Sequence, residues 1–212
     1  MKADAGNPEP RWLALVALIA VVGLYTALPR FLDVGPQWLL LAVVGLLAVS
    51  LVFSHRAGMH SLNQALGVAV NITVTVVLVI SLVLLVTALP SRKEPPLLLM
   101  RSAALLWISN VLVFALWYWR LDAGGPNHRD RRGQHTGGAF LFPQMTLQSR
   151  GEHPSWSPNF IDYLFLAFNT STALSPADTQ ALSRWAKVLM MIQSSISLTV
   201  IVLPLARAVN IL

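Results

Sequence analysis

Five stretches of this chain carry no Asp, Glu, Lys or Arg: residues 12–29, 34–54, 57–91, 102–119 and 188–206. At 1.5 Å per helical residue, about 20 apolar residues cross a hydrocarbon core ~30 Å thick. Lipid offers no water to an unpaired peptide group, so runs of this kind close their own hydrogen bonds as helices. The pattern predicts helices over 11–29, 36–54, 66–90, 100–120 and 184–209. The first lacks a small-residue cleavage site and is too long for a cleaved signal peptide. Pro29 and Pro90 suit helix ends, and Pro36 suits a first helical turn. Trp12, Trp38, Trp117, Tyr118, Trp119 and Trp185 fall near span ends, where their amphipathic rings sit at headgroup level. The fold class expected is all-α: a polytopic transmembrane protein in a cell membrane, multi-pass.

Composition supports this. Charged residues make up 11% of the chain and hydrophobic residues 55%, whereas soluble domains are about a quarter charged. The absence of cysteine excludes disulfides, thiolate metal sites and cysteine nucleophiles. The net charge of +6 comes from basic residues standing singly or in pairs between the spans. They read as membrane-flanking anchors, since a nucleic-acid site needs a clustered basic patch. The bilayer is the expected partner, and no nucleic acid is.

No ionisable group lies in the middle of the spans. This argues against a proton-coupled transporter and against an arginine-ladder voltage sensor. His128 and His135 share one loop, but their spacing fits no standard metal pattern. No Ser-His-Asp order, Walker loop, dinucleotide fingerprint or zinc-protease motif is present. The expectation is no enzyme, no cofactor and no metal.

The chain divides into residues 1–99, three transmembrane helices, and residues 100–212. The second part has an outer helix, a loop over 121–157, an apolar segment over 160–174 and a last span. The first half of the loop reads as flexible, and Phe140, Leu141, Phe142 and Pro143 as a stretch packing on the membrane face. Segment 160–174 is too short to span comfortably and ends in hydroxyls, so a re-entrant helix is expected. Asp162 suits the positive end of its dipole. The polar turn runs Thr170, Ser171, Thr172, Ala173, Leu174, Ser175, Pro176, Ala177, Asp178 before a helix from about Ser183. Short helix, polar turn and spanning helix follow the pore-loop plan of tetrameric cation channels.

Residues 162–207 resemble the pore module of potassium channels. The family filter T-x-T-T-V-G-Y-G-D aligns without a gap on T-S-T-A-L-S-P-A-D, Thr170 to Asp178. Lys187 falls where a basic residue often opens the inner helix, Ser197 at the hinge glycine, and Ala206-Arg207 on a common Ala-Arg. The chain is also similar to an uncharacterised family of bacterial integral membrane proteins, through Asp162-Tyr163-Leu164-Phe165-Leu166-Ala167-Phe168 and the Ala177-Asp178 turn. The first resemblance implies a homotetrameric channel passing monovalent cations; the second implies a bacterial inner membrane and no established activity. Ser175 and Ala177 replace both filter glycines and Pro176 the tyrosine. Repeated inward carbonyls need glycine's left-handed angles, and proline fixes φ near −65°, so a conventional potassium filter cannot form.

In the last helix Gln193 and Ser197 share a face with Pro204. They read either as a pore-lining stripe or as helix–helix glue. Pro204 is expected to kink the helix near its end. Asn71, Thr73, Thr75, Ser109 and Asn110 read as interhelical hydrogen-bonding groups. The functional expectation is a channel-like protein with a non-standard filter. The alternatives are a non-conducting structural or regulatory membrane protein, or a small solute transporter. Topology arguments conflict. Positive charge, with Arg11, Arg56, Arg120 and Arg129 among the larger set, places the N-terminus and loop 121–157 inside, and the channel plan places that loop outside.

Overall fold

The computed structural model describes residues 9–33, 35–91, 94–130, 137–149, 156–172 and 178–209. Helices α1 (Trp12–Thr26) and α2 (Gln37–Arg56) flank a 3₁₀ turn at Arg30–Leu32, and α3 (His60–Ala88) and α4 (Pro96–Leu121) follow. A 3₁₀ turn at Asp122–Gly124 leads to α5 (Pro126–Arg129), β1 (Phe140–Leu141) and α6 (Pro143–Ser149). Then come α7 (Phe160–Thr172), β2 (Gln180–Ala181) and α8 (Arg184–Ala208). The all-α expectation holds, with one small addition. β1 and β2 form an antiparallel ladder with Phe140 opposite Ala181 and Leu141 opposite Gln180.

By length and composition, three helices among the described residues can cross a membrane: α3, α4 and α8. The apolar helices Trp12–Thr26 and Trp38–Ser54 are shorter. The expectation of about five spans is thus supported for three, and α1 is the clear shortfall. The reason is local: α1 stops at Thr26, three residues before Pro29, and its 15 residues reach only about 22 Å. Conversely α3 starts at His60 and α4 at Pro96, ahead of the predicted 66 and 100. Pro96 sits at N1 of α4, where its missing N–H costs nothing.

Helix α4 is the hub, packing against α1, α3, α7 and α8. It can do so because apolar residues surround its axis, and Leu99, Leu106, Val113, Phe114 and Tyr118 are all buried. Other helices bury one side only. Ile19, Leu46, Phe53, Ile72, Val83 and Met191 face outward. So wide an apolar exterior on a well-packed interior is what lipid-facing helices present.

α7 is fixed at its start by Asn159 and Asp162. The Asn159 N–H donates to Asp162 Oδ2 (2.8 Å), and the Ile161 N–H donates to Asn159 Oδ1 (2.8 Å). At 13 residues it is about 20 Å long, short of the hydrocarbon core. α8 is capped by Ser183 Oγ, which accepts from the Ala186 N–H at 3.2 Å, and it runs through Pro204 to Ala208.

Two loop expectations change. Residues 121–130 are not a flexible loop but end α4, turn and form α5, with Asp122, Asn127 and Arg129 buried. Phe140 and Phe142 do not lie on a membrane face. They are buried, Phe140 against Tyr118, Tyr163 and Trp185, and Phe142 against Trp156 and Tyr163.

Candidate functional site

The residues singled out in the last two helices meet in one buried polar seam between α4, α7 and α8. Gln193 is 0% exposed. Its Nε2 donates to the Ala167 carbonyl and to Ser171 Oγ, both at 2.7 Å. Its Oε1 accepts from the Tyr118 hydroxyl. One turn on, Asn110 Nδ2 donates to Ser197 Oγ (2.9 Å) and to the Gln193 carbonyl (3.2 Å). Ser194 Oγ donates to the Thr170 carbonyl at 3.3 Å. The amide of Gln193 therefore clamps the last turn of α7 to α4.

This placement puts the polar stripe of α8 inside the protomer. Gln193, Ser197 and Pro204 are all buried inside the protomer. Thr170 and Ser171 are likewise buried, with Thr170 Oγ1 donating to the Leu166 carbonyl. Thr172 and Asp178 are exposed. Ala173, Leu174, Ser175, Pro176 and Ala177 lie outside the described residues. Among the residues expected to join helices, Thr75 and Asn110 do so, Thr75 accepting from Trp117 Nε1 at 2.8 Å. Thr73 and Ser109 donate back to carbonyls of their own helices.

Sequence reasoning missed a second cluster, in which Glu9 meets the α4–α5 turn. Arg129 Nη2 donates to Glu9 Oε2 at 2.8 Å, and its Nη1 donates to the carbonyls of Trp119 (2.8 Å) and Asp122 (2.9 Å). Trp119 Nε1 donates to the other Glu9 oxygen. Asp122 accepts from the Tyr163 hydroxyl (2.6 Å) and the Ala139 N–H. Arg11 Nη2 donates to Asp130 Oδ2 at 2.7 Å beside it. Nothing local announces these pairs, because Glu9 and Arg129 stand 120 positions apart. Gly125 completes the turn at φ +91°, where a Cβ would also lie 2.7 Å from the Arg120 carbonyl.

Burial lifts the Glu9 carboxyl above its ordinary 4.5, outweighing the lowering pull of Arg129 and Trp119. The folded chain then holds a proton on Glu9 more tightly than the unfolded chain. Stability from this group is complete below the unfolded value and is lost as pH rises through the folded one. The thermal midpoint should fall as pH climbs from about 4.5, and Glu9→Gln should flatten that decline. An equally steep decline in the variant would remove Glu9 as its cause.

A cavity of about 280 Å³ opens beside this cluster, between α1 and α2 and backed by α3 and α4, with Arg11, Arg56 and Arg120 in its wall. Among the described residues no group of three or more His, Cys, Asp or Glu could hold a metal ion.

No protein-family model, curated protein or solved structure matches the chain.

Proposed function

We propose that this is a multi-pass membrane protein of the non-conducting class, in a bacterial inner membrane, with α7 re-entrant and its polar seam serving as a structural joint. Helices α1 and α2 join α3, α4 and α8 in the bilayer by tilting little and thinning the lipid locally. The observation that carries this reading is Gln193. Every polar atom of its amide is engaged inside the protomer, which leaves none for an ion path. Arg11, Arg56, Arg120 and Arg129 gather at one end of the bundle, and the positive-inside rule makes that end cytoplasmic. The protein needs no cofactor and catalyses no reaction in this reading.

The test has two parts. Reconstituted into planar bilayers with potassium or sodium gradients, the purified chain is expected to pass no single-channel current. A cysteine replacing the exposed His128 should react with an impermeant maleimide only after lysis. Ohmic currents, or labelling on intact cells, would overturn the reading.

One observation favours the runner-up, a homotetrameric channel for monovalent cations. Thr172 and Asp178, both within the filter-like stretch, are exposed. In that case an acidic ring of Asp178 attracts cations. Currents that appear with the wild type and fall severalfold in Asp178→Asn, from a particle of tetramer mass, would establish it.

A further inference from the structure

The arginine-lined cavity has a charge problem. Arg120 is 5% exposed, its guanidinium resting over the Trp119 ring at 5.0 Å. Among the described residues no side chain or carbonyl hydrogen-bonds or ion-pairs with that guanidinium. The positive charges of Arg11 and Arg129 act on it as well. Those two have acids of their own, Asp130 and Glu9, but Arg120 and Arg56 bring charge to the chamber without one among the described salt bridges. An isolated buried cation is expensive unless an anion joins it.

The chain also makes room for this arrangement. Gly67 of α3 lies directly under the guanidinium, and a Cβ there would run into Arg120 Cζ and Nη2. One turn deeper, Asn71 is 4% exposed and its Nδ2 donor has no partner among the described residues, while Asn71 lines the same cavity. A fork of guanidinium donors and a free amide donor thus converge on one chamber. That is the donor set for phosphate oxygens, which accept two parallel N–H bonds from arginine.

The remaining wall tells which phosphate. Leu15, Leu18, Leu51, Val52 and Leu116 surround the charged groups, a poor lining for a fully hydrated free ion. The volume, about 280 Å³, falls just below the range of small-molecule sites, roughly 300–1,000 Å³. It suits a headgroup with its glycerol rather than a whole lipid. The arginines come from the start of α1 and the ends of α2 and α4, so they stand at one rim of the bundle, at the depth of lipid phosphates. Basic pockets between membrane helices on the cytoplasmic side take anionic headgroups for the same reason. We propose that this cavity is a binding site for the phosphate of an anionic phospholipid, held by Arg120 and Arg56, with Asn71 at its floor and the acyl chains leaving between α1 and α2.

The experiment uses the full chain in mixed micelles carrying phosphatidylglycerol and phosphatidylcholine at equal mole fraction, read by native mass spectrometry. The wild type should retain one phosphatidylglycerol per protomer in preference to phosphatidylcholine. Arg120→Gln should cut that retention at least tenfold, and Arg56→Gln, at an exposed position that carries no folding risk, severalfold. Phosphatidylglycerol should raise the thermal midpoint of the wild type and leave that of Arg120→Gln unmoved. Equal retention of both lipids by the wild type, or unchanged retention in both variants, would overturn the proposal. Displacement of the lipid by millimolar inorganic phosphate would overturn the lipid assignment and give the site to a free anion. None of these readouts depends on whether the protein conducts.

Discussion

Replacing Gln193 by alanine should cost about 2–4 kcal/mol of stability in detergent, combining the cavity left behind with the buried groups left unpaired. The side chain is 0% exposed, and its loss strips partners from Tyr118, Ser171 and the Ala167 carbonyl together. Single interhelical hydrogen bonds in membrane proteins average only about 0.6 kcal/mol. The large value therefore comes from three orphaned groups at once and not from one bond. Gln193→Leu separates the contributions. It fills most of the volume, so the part of the loss that remains is the part due to unpaired polar groups. The measurement is a thermal or denaturant unfolding curve followed by tryptophan fluorescence. A loss below about 0.5 kcal/mol, the scale of an ordinary surface substitution, would show that the seam does not hold α7 to α4. A pore-lining residue behaves oppositely: its replacement alters permeation and leaves stability nearly unchanged.

The second large effect is expected at Arg129. Its guanidinium and the Glu9 carboxylate are both almost fully buried at 2.8 Å, and it also donates to the Trp119 and Asp122 carbonyls. Removing one partner of a buried pair leaves an uncompensated charge and costs about 3–5 kcal/mol. Arg129→Ala should lose that much, and the double variant Glu9→Gln with Arg129→Ala should recover part of it, because no bare carboxylate remains. Arg129→Lys keeps the charge but not the fork, and should fall between. Equal stability of Arg129→Ala and the double variant would mean that the carboxylate gains nothing from its partner. The loss should also weaken the hold on the Tyr163 end of α7, since the Arg129 guanidinium sits 5.1 Å from that ring.

Much of the architecture was legible before any coordinates. The charge-free runs located every long helix within a few residues, because lipid permits no other backbone there. The last helix, expected from about Ser183, starts at Arg184, and the Ser183 hydroxyl caps it. Asp162 was placed at the head of α7 on dipole grounds, and it sits there accepting from Asn159. Periodicity also put Gln193 and Ser197 on one face of α8. It could not say which way that face turned, toward an axis between protomers or toward α4 and α7.

What the sequence by itself determined, then, is the solvent of this protein and the helices that solvent demands. Hydrophobicity and helical rise are local, additive properties, readable one residue at a time. That α1 falls short of spanning length was decided by where it stops, at Thr26, since a prediction that misses a boundary by a few residues moves the length across the threshold. The sites belong wholly to the tertiary structure. Glu9 meets Arg129, Gly67 underlies Arg120, and Asn110 reaches Ser197 across separations that no spacing rule encodes. Each is a consequence of α4 lying at the centre with four helices around it, and a chain read in one dimension has no centre.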